Sequence, residues 1–206
     1  MNKRNGYLLT LDPESPRALF SKQVLEEIGF DVIMIPPMPH ADKVLSNKLS
    51  MQAIYRQIID SNTEYAYVFE DDINVREKIT LDEIIEYEAI SEMFFYLGIC
   101  ESGNTATPTG IKIRGHNVYS KQGSCRGLHA IGLSKKGVQA LLELSKASTE
   151  RYMDIIVENF SKLYPANICR YDLTDYKKMK MLRHQGIKGH RGILFQDRNR
   201  FPSMIR

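Results

Sequence analysis

The stretch Tyr65-Ala66-Tyr67-Val68-Phe69-Glu70-Asp71-Asp72 constrains this chain more than any other. Five apolar or aromatic residues in a row are too few for a buried helix and rich in strand formers, so they predict a buried strand. Three carboxylates follow at once. Adjacent like charges raise one another's pKa and repel unless a cation or several hydrogen-bond donors compensate them. The plain alternative is a solvated acidic turn, since charged side chains are mostly exposed. The preceding strand argues against it, because ligands of open α/β sheets bind outside the carboxyl ends of the strands. The triplet is therefore a candidate metal site at a sheet edge.

The rest of the chain alternates strand and helix. Gly6 to Leu11 predicts a first strand stopped by Asp12-Pro13, and Ser15 caps a helix with Pro16 at its first position. Leu19, Phe20, Val24, Leu25 and Ile28 recur at helical spacing, with Gly29 as the stop. Asp31 to Ile35 is a second strand, closed by Pro36-Pro37-Met38-Pro39. Ser46 or Asn47 caps a helix buried through Leu49, Met51, Ala53, Ile54 and Ile58. After the Tyr65 strand, Thr80 and Glu83 predict a capping box, and Phe94 to Gly98 another strand. Residues 101–127, with five Gly and few apolar residues, read as a long excursion. His129 to Leu133 is a short strand, Ser134 caps a helix with Val138, Leu141 and Leu142, and Met153, Ile156, Val157 and Phe160 mark one more. This pattern predicts a mostly parallel α/β fold in one domain spanning 1–206, the length of an ordinary single domain.

Charge is unevenly spread. Residues 170–206 hold ten Lys or Arg against three Asp, leaving eighteen against twenty-two for the body. A basic C-terminal segment on an acidic body is expected to meet an anion. Nucleic acid is disfavoured, because the aromatics of this segment do not interleave with its basic residues as a stacking platform would, and a phosphate-bearing small molecule or the chain's own acidic surface explains the segment equally well. Cys100, Cys125 and Cys169 are odd in number and widely spaced, which predicts free thiols in a reducing compartment. The first apolar segment is too short for a signal peptide and no run reaches membrane-spanning length, so the chain reads as cytoplasmic with no integral membrane segment.

The order of the pieces resembles a known family. Leu9-Thr10-Leu11-Asp12, Leu49-Ser50, Phe69-Glu70-Asp71-Asp72, Leu97-Gly98, the run His129 to Gly137, and Gln196-Asp197-Arg198 look like the motifs of glycosyltransferase family 25, which holds lipopolysaccharide-type and collagen-type sugar transferases. Met51 stands where many relatives carry His, and Ile131-Gly132 where a Tyr-led pair is commoner. The resemblance implies a GT-A-like fold binding a nucleotide-sugar, often a UDP-hexose, with a divalent cation on its diphosphate, and a glycan or protein acceptor. Carboxylate oxygens are hard ligands suited to Mn²⁺ or Mg²⁺. Asp72 is then the leading metal ligand, with Glu70 and Asp71 as contacts to metal, ribose or strand-end backbone. Thr10 and Leu11 map to the nucleoside site, and Ser50 joins the donor-binding set. Asp72, read as lying at the surface end of its strand, is expected to tolerate substitution by Asn without unfolding.

Other residues carry two readings. His129 is either a hydrogen-bonded strand histidine or a donor contact. Lys188, Arg191 and Arg198 are expected to neutralise the diphosphate, so that truncation after Gly186 removes donor binding and leaves the sheet intact. His184 or His190 could supply a late ligand. Family 25 is expected to invert the anomeric centre, which needs a carboxylate base distinct from the metal ligands. Asp154, at the start of a helix, is the candidate, and an ordinary solvated edge shared with Glu158 is its alternative. Glu101 and Asp172 stand behind it. A phosphoryl-transfer enzyme is disfavoured, because Asp12 is followed directly by Pro13 without a second spaced Asp. A non-catalytic nucleotide-sugar-binding module of the same fold remains the rival.

Overall fold

The computed structural model describes residues 4–61, 63–100, 106–123, 126–171, 190–197 and 200–201, the side chains of 126–128 and 190 excepted. Its strands are β1 (Asn5–Leu9), β2 (Asp31–Ile35), β3 (Tyr65–Glu70), β4 (Ile73–Val75), β5 (Phe94–Cys100), β6 (Thr107–Ile113), β7 (His116–Lys121), β8 (Arg126–Ser134), β9 (Ala166–Ile168), β10 (His190–Gly192) and β11 (Leu194–Gln196). Its helices are α1 (Pro16–Ile28), α2 (Lys43–Asp60), α3 (Leu81–Glu88), α4 (Lys135–Ala147) and α5 (Met153–Leu163).

Among the described residues, nine strands form one sheet in the order β2-β1-β3-β8-β5-β9-β7-β6, with β10 added beside β5. Strands β2, β3, β5, β9 and β6 run with β1, and β8, β7 and β10 run against it, so most strands share one direction. Strand β8 lies antiparallel between β3 and β5, which the simple alternation read from sequence does not predict. The chain re-enters the sheet beside Cys100, at the carboxyl end of β5, and must therefore run backwards through it.

Period-two alternation splits the core into two layers. Ala66, Val68, Phe94 and Tyr96 face α2, α4 and α5 through Met51, Ile54, Leu141, Ile156 and Phe160. Tyr65, Tyr67, Phe69, Phe95 and Leu97 face α1 and α3 through Leu25, Ile28, Ile84 and Tyr87. Each fully buried Val, Leu, Ile, Met or Phe among them contributes ~1.5–3 kcal/mol relative to exposure. Inside the second layer the Tyr67 hydroxyl donates to Glu88, which also receives Arg4, and burial with that carboxylate beside it pushes the phenol well above its ordinary range.

Several local expectations hold. The Ser15 hydroxyl accepts from Ala18 N, Pro16 opens α1, and Gly29 closes it at φ 118°, where L side chains are strained. Others change. Helix α2 starts earlier than Ser46, because the Asp42 carboxylate caps Val44 and Leu45. The Thr80 side chain makes no capping bond, and Glu83 binds Arg170 instead. The excursion over 101–127 contains the β6–β7 hairpin, whose Arg114-Gly115 turn has φ 47° and 86°. Strand β6 is exposed over most of its length, so its sequence carries no apolar alternation to read. No helix of the described residues is long and apolar enough to cross a membrane. Cys100 and Cys169 are free thiols, and Cys125 lies outside the described residues.

Candidate active site

Strands β1 and β3 are parallel neighbours with Leu9 opposite Glu70, so the residues that follow each strand emerge side by side. The Thr10 hydroxyl donates to Asp71 Oδ2 at 2.7 Å. Arg17, in the first turn of α1, donates from Nε to Asp71 Oδ1 at 2.6 Å and holds Nη2 3.1 Å from Asp72 Oδ2. A cation in a helix's first turn opposes the helix dipole, and these two carboxylates outweigh that effect. One turn on, the Ser21 hydroxyl accepts from Ile73 N at 3.1 Å and donates to Ile73 O, fixing the backbone just past Asp72.

The third contribution comes from the C-terminal part of the chain. Strand β11 pairs with β4 so that Gln196 lies opposite Ile73, and Asp197 N donates to Asp72 O at 2.7 Å. Gln196 Nε2 donates to Glu70 Oε2 at 2.6 Å and lies 3.4 Å from Asp72 Oδ1. Asn74 Nδ2 donates to Asp197 Oδ2 at 3.1 Å. Beyond β11, Arg200 stacks on the Phe20 ring of α1 at 4.0 Å, holding the chain against the same helix that carries Arg17.

The structure thus groups Thr10, Glu70, Asp71 and Asp72 with Arg17, Gln196 and Asp197. Asp72 is 0% exposed, so it is a buried ion-pair partner, which corrects the expectation that it lies at the surface end of its strand. Leu11, 60% exposed, stands at the open edge beside the cluster. Ser50 is elsewhere employed: its hydroxyl donates to Ser46 O and accepts from Met38 N, tying the proline-rich loop to α2. His129 is fully buried, in space that only a glycine at 98 leaves open. A Cβ at Gly98 would lie 2.5 Å from His129 Nε2 and 2.2 Å from Leu194 O, which explains the Leu-Gly pair and gives His129 a packing role. Arg191 is also fully buried, 5.5 Å from the Tyr171 ring, because β10 pairs with β5. It cannot meet a diphosphate at the surface. Lys188 and Arg198, with Glu101, Asp172 and His184, lie outside the described residues, as does the His190 side chain.

Asp154 is half-buried in the first turn of α5, with no side-chain cap from Tyr152 before it. The α4–α5 junction is pinned to the start of α2, where Lys48 Nζ donates to Ser148 O and Glu150 O and Arg151 pairs with Asp42. Because α2 follows the carboxyl end of β2, Asp154 stands at the same sheet edge as the acidic triplet, on the opposite helical layer from Arg17.

Glu70 Oε2 and Asp72 Oδ1 converge on a single atom, Gln196 Nε2. Two hard oxygens aimed at one point suit a divalent cation, and a half-turn of the Gln196 amide would offer a third. Among the described residues there is no ready-made group of three or more His, Cys, Asp or Glu.

No protein-family model matches the sequence, and no curated protein matches it. Among solved structures, a glycosyltransferase involved in the glycosylation of the major capsid of PBCV-1 overlaps 77% of this chain and 76% of its own, with TM-score 0.49 and 12% identity. A197 from STIV overlaps 85% and 87%, with TM-score 0.43 and 9% identity. An apo UDP-glucose pyrophosphorylase overlaps 84% and 71%, with TM-score 0.38 and 10% identity. With every TM-score under 0.5, these overlaps carry no argument about this chain, whose chemistry rests on the site's own residues.

Proposed function

We propose that the chain is a GT-A-like glycosyltransferase of the family 25 type, moving a hexose with inversion from a nucleotide-sugar, such as UDP-galactose or UDP-glucose, to a glycan or protein acceptor. One observation carries this reading: Leu9-Thr10-Leu11-Asp12, Phe69-Glu70-Asp71-Asp72 and Gln196-Asp197, far apart in sequence, meet at the carboxyl edge of the sheet. Those are three of the six segments on which the family resemblance rests.

Glu70, Asp72 and the Gln196 amide are the residues suited to hold Mn²⁺ or Mg²⁺, with water and phosphate oxygens completing its shell. When bound, such an ion would neutralise charge growing on the leaving diphosphate. Arg17 and Thr10 hold Asp71 and Asp72 in one rotamer each, which preorganises the edge. Leu11 offers an exposed apolar surface to the nucleoside base. Lys188 and Arg198 are proposed to approach the diphosphate. Asp154 is proposed to take the acceptor proton, a role favoured by its place at a helix N-terminus, where the carboxylate is stabilised as the anion.

The full burial of Asp72 favours a second reading, a nucleotide-sugar-binding module without turnover. Incubating the full chain with UDP-hexoses and Mn²⁺, with and without glycoside acceptors, separates the two. An enzyme releases free UDP, faster with acceptor. Binding in calorimetry with no release gives the module, and no binding of any nucleotide-sugar overturns both.

A further inference from the structure

A second recess lies further along the same edge. It has a volume of about 390 Å³ and is lined by residues that include Arg76, Glu77, His116, Asn117, Arg170 and Tyr171. Three elements build it. Arg76 and Glu77 continue from β4, and Arg76 N donates to Ile193 O, extending the ribbon that carries Gln196 at its other end. His116 and Asn117 open β7. Arg170 and Tyr171 leave the end of β9. Four strand residues at ~3.3 Å each put Arg76 about 13 Å along the chain from Asp72.

The lining states what the recess can hold. Arg, Glu, His and Asn are planar groups whose paired donors and acceptors match vicinal hydroxyls. The Tyr119 and Tyr171 rings, 5.1 Å apart, supply an apolar wall for the C–H face of a ring. Arg170 grips Glu83 through Nε and Nη2 at 2.7 and 2.6 Å and holds Nη1 2.9 Å from Glu77, while Arg76 donates to Gly192 O. Arg170 is thus already held between two carboxylates, so it has little left for an anion, and the acidic triplet nearby would repel one. The backbone is also strained here: Arg170 has φ 46°, held by its ion pairs, and strain of this kind clusters at binding sites. The volume lies at the low end for small-molecule pockets, the scale of a mono- or disaccharide.

We propose that this recess is the acceptor subsite and takes the uncharged terminal sugar of a glycan; the assignment rests on the transferase reading above. Saturation-transfer NMR on the full chain tests it, with methyl β-galactoside, methyl β-glucoside and galacturonate as probes, each with and without UDP. Asn117→Ala and His116→Ala are the variants, since both residues are exposed and neither belongs to the acidic cluster. A neutral glycoside is expected to bind, and each variant to weaken it at least about tenfold with UDP affinity unchanged. No glycoside binding to the parent, parent-like binding in both variants, or preference for galacturonate overturns the assignment. Because glycoside binding is also read without UDP, failure of UDP to bind the parent counts against the transferase reading alone, and the recess is still decided by its own arm.

Discussion

At the scale of single residues, Arg17 is the one that changes the reading of the acidic triplet. Sequence pointed to Glu70, Asp71 and Asp72 because three carboxylates at a strand end need compensation, and the compensation proved to include an arginine from α1. That partner had a signal of its own, a cation placed where the helix dipole repels it. The signal says that a carboxylate is near without saying which one. Removing one member of a buried ion pair strands the other, at a cost of about 3–5 kcal/mol. Arg17→Met is therefore expected to lower unfolding free energy in urea by about that much, and Asp72→Asn to cost less, because Arg17 keeps Asp71 as its partner. An Arg17→Met protein within about 0.5 kcal/mol of the parent would show that the pairing adds nothing to the fold. Thr10, which reads from sequence as a nucleoside contact, donates to Asp71, whereas the Ser50 hydroxyl bonds nearby backbone, a kind of bonding that leaves no trace in a sequence pattern.

At the scale of elements, the buried long strands and the helices are legible from period and punctuation, and the β6–β7 hairpin and the short strands are not. Strands β4, β9, β10 and β11 have three residues each, too few to display alternation, and two of them lie inside what reads as a basic segment. Arg191 was counted there as a surface charge, yet its strand pairing buries it. Truncation after Gly186 would therefore remove β10 from β5, β11 from β4, and Gln196 from the triplet, so it tests the sheet as much as the ligand site. A gentler probe of the same junction is Gly98→Ala. The added Cβ would meet Leu194 O at 2.2 Å and His129 Nε2 at 2.5 Å, and backbone cannot yield as a flexible side chain does. Overpacking of this kind costs about 1–3 kcal/mol, and the expected outcome is a lower Tm together with weaker nucleotide binding as β11 shifts. An unchanged Tm would mean that β11 does not press on β5 as described.

At the scale of the whole molecule, the two helical layers bring different chemistry to one edge. Helix α1 holds the triplet through Arg17, while the α2, α4 and α5 layer presents Asp154 through a junction fixed by Lys48 and by the Arg151–Asp42 pair. A base on a separate element is what inversion needs, because the acceptor hydroxyl must approach from the side away from the leaving nucleotide, and the proton acceptor cannot share the lone pairs that hold a cation. Sequence alone placed Asp154 only at a helix start; the edge it shares with Glu70 to Asp72 follows from long-range contacts between α2 and the α4–α5 junction. Asp154→Asn keeps the size of the side chain and removes its basicity. The variant is expected to bind UDP and Mn²⁺ as the parent does while its kcat for sugar transfer falls at least roughly a hundredfold, the lower end for loss of general-base catalysis. Donor binding read by calorimetry separates this from a folding defect. Transfer within a few fold of the parent would return Asp154 to the solvated helix edge it shares with Glu158, and the base would have to be sought on another carboxylate.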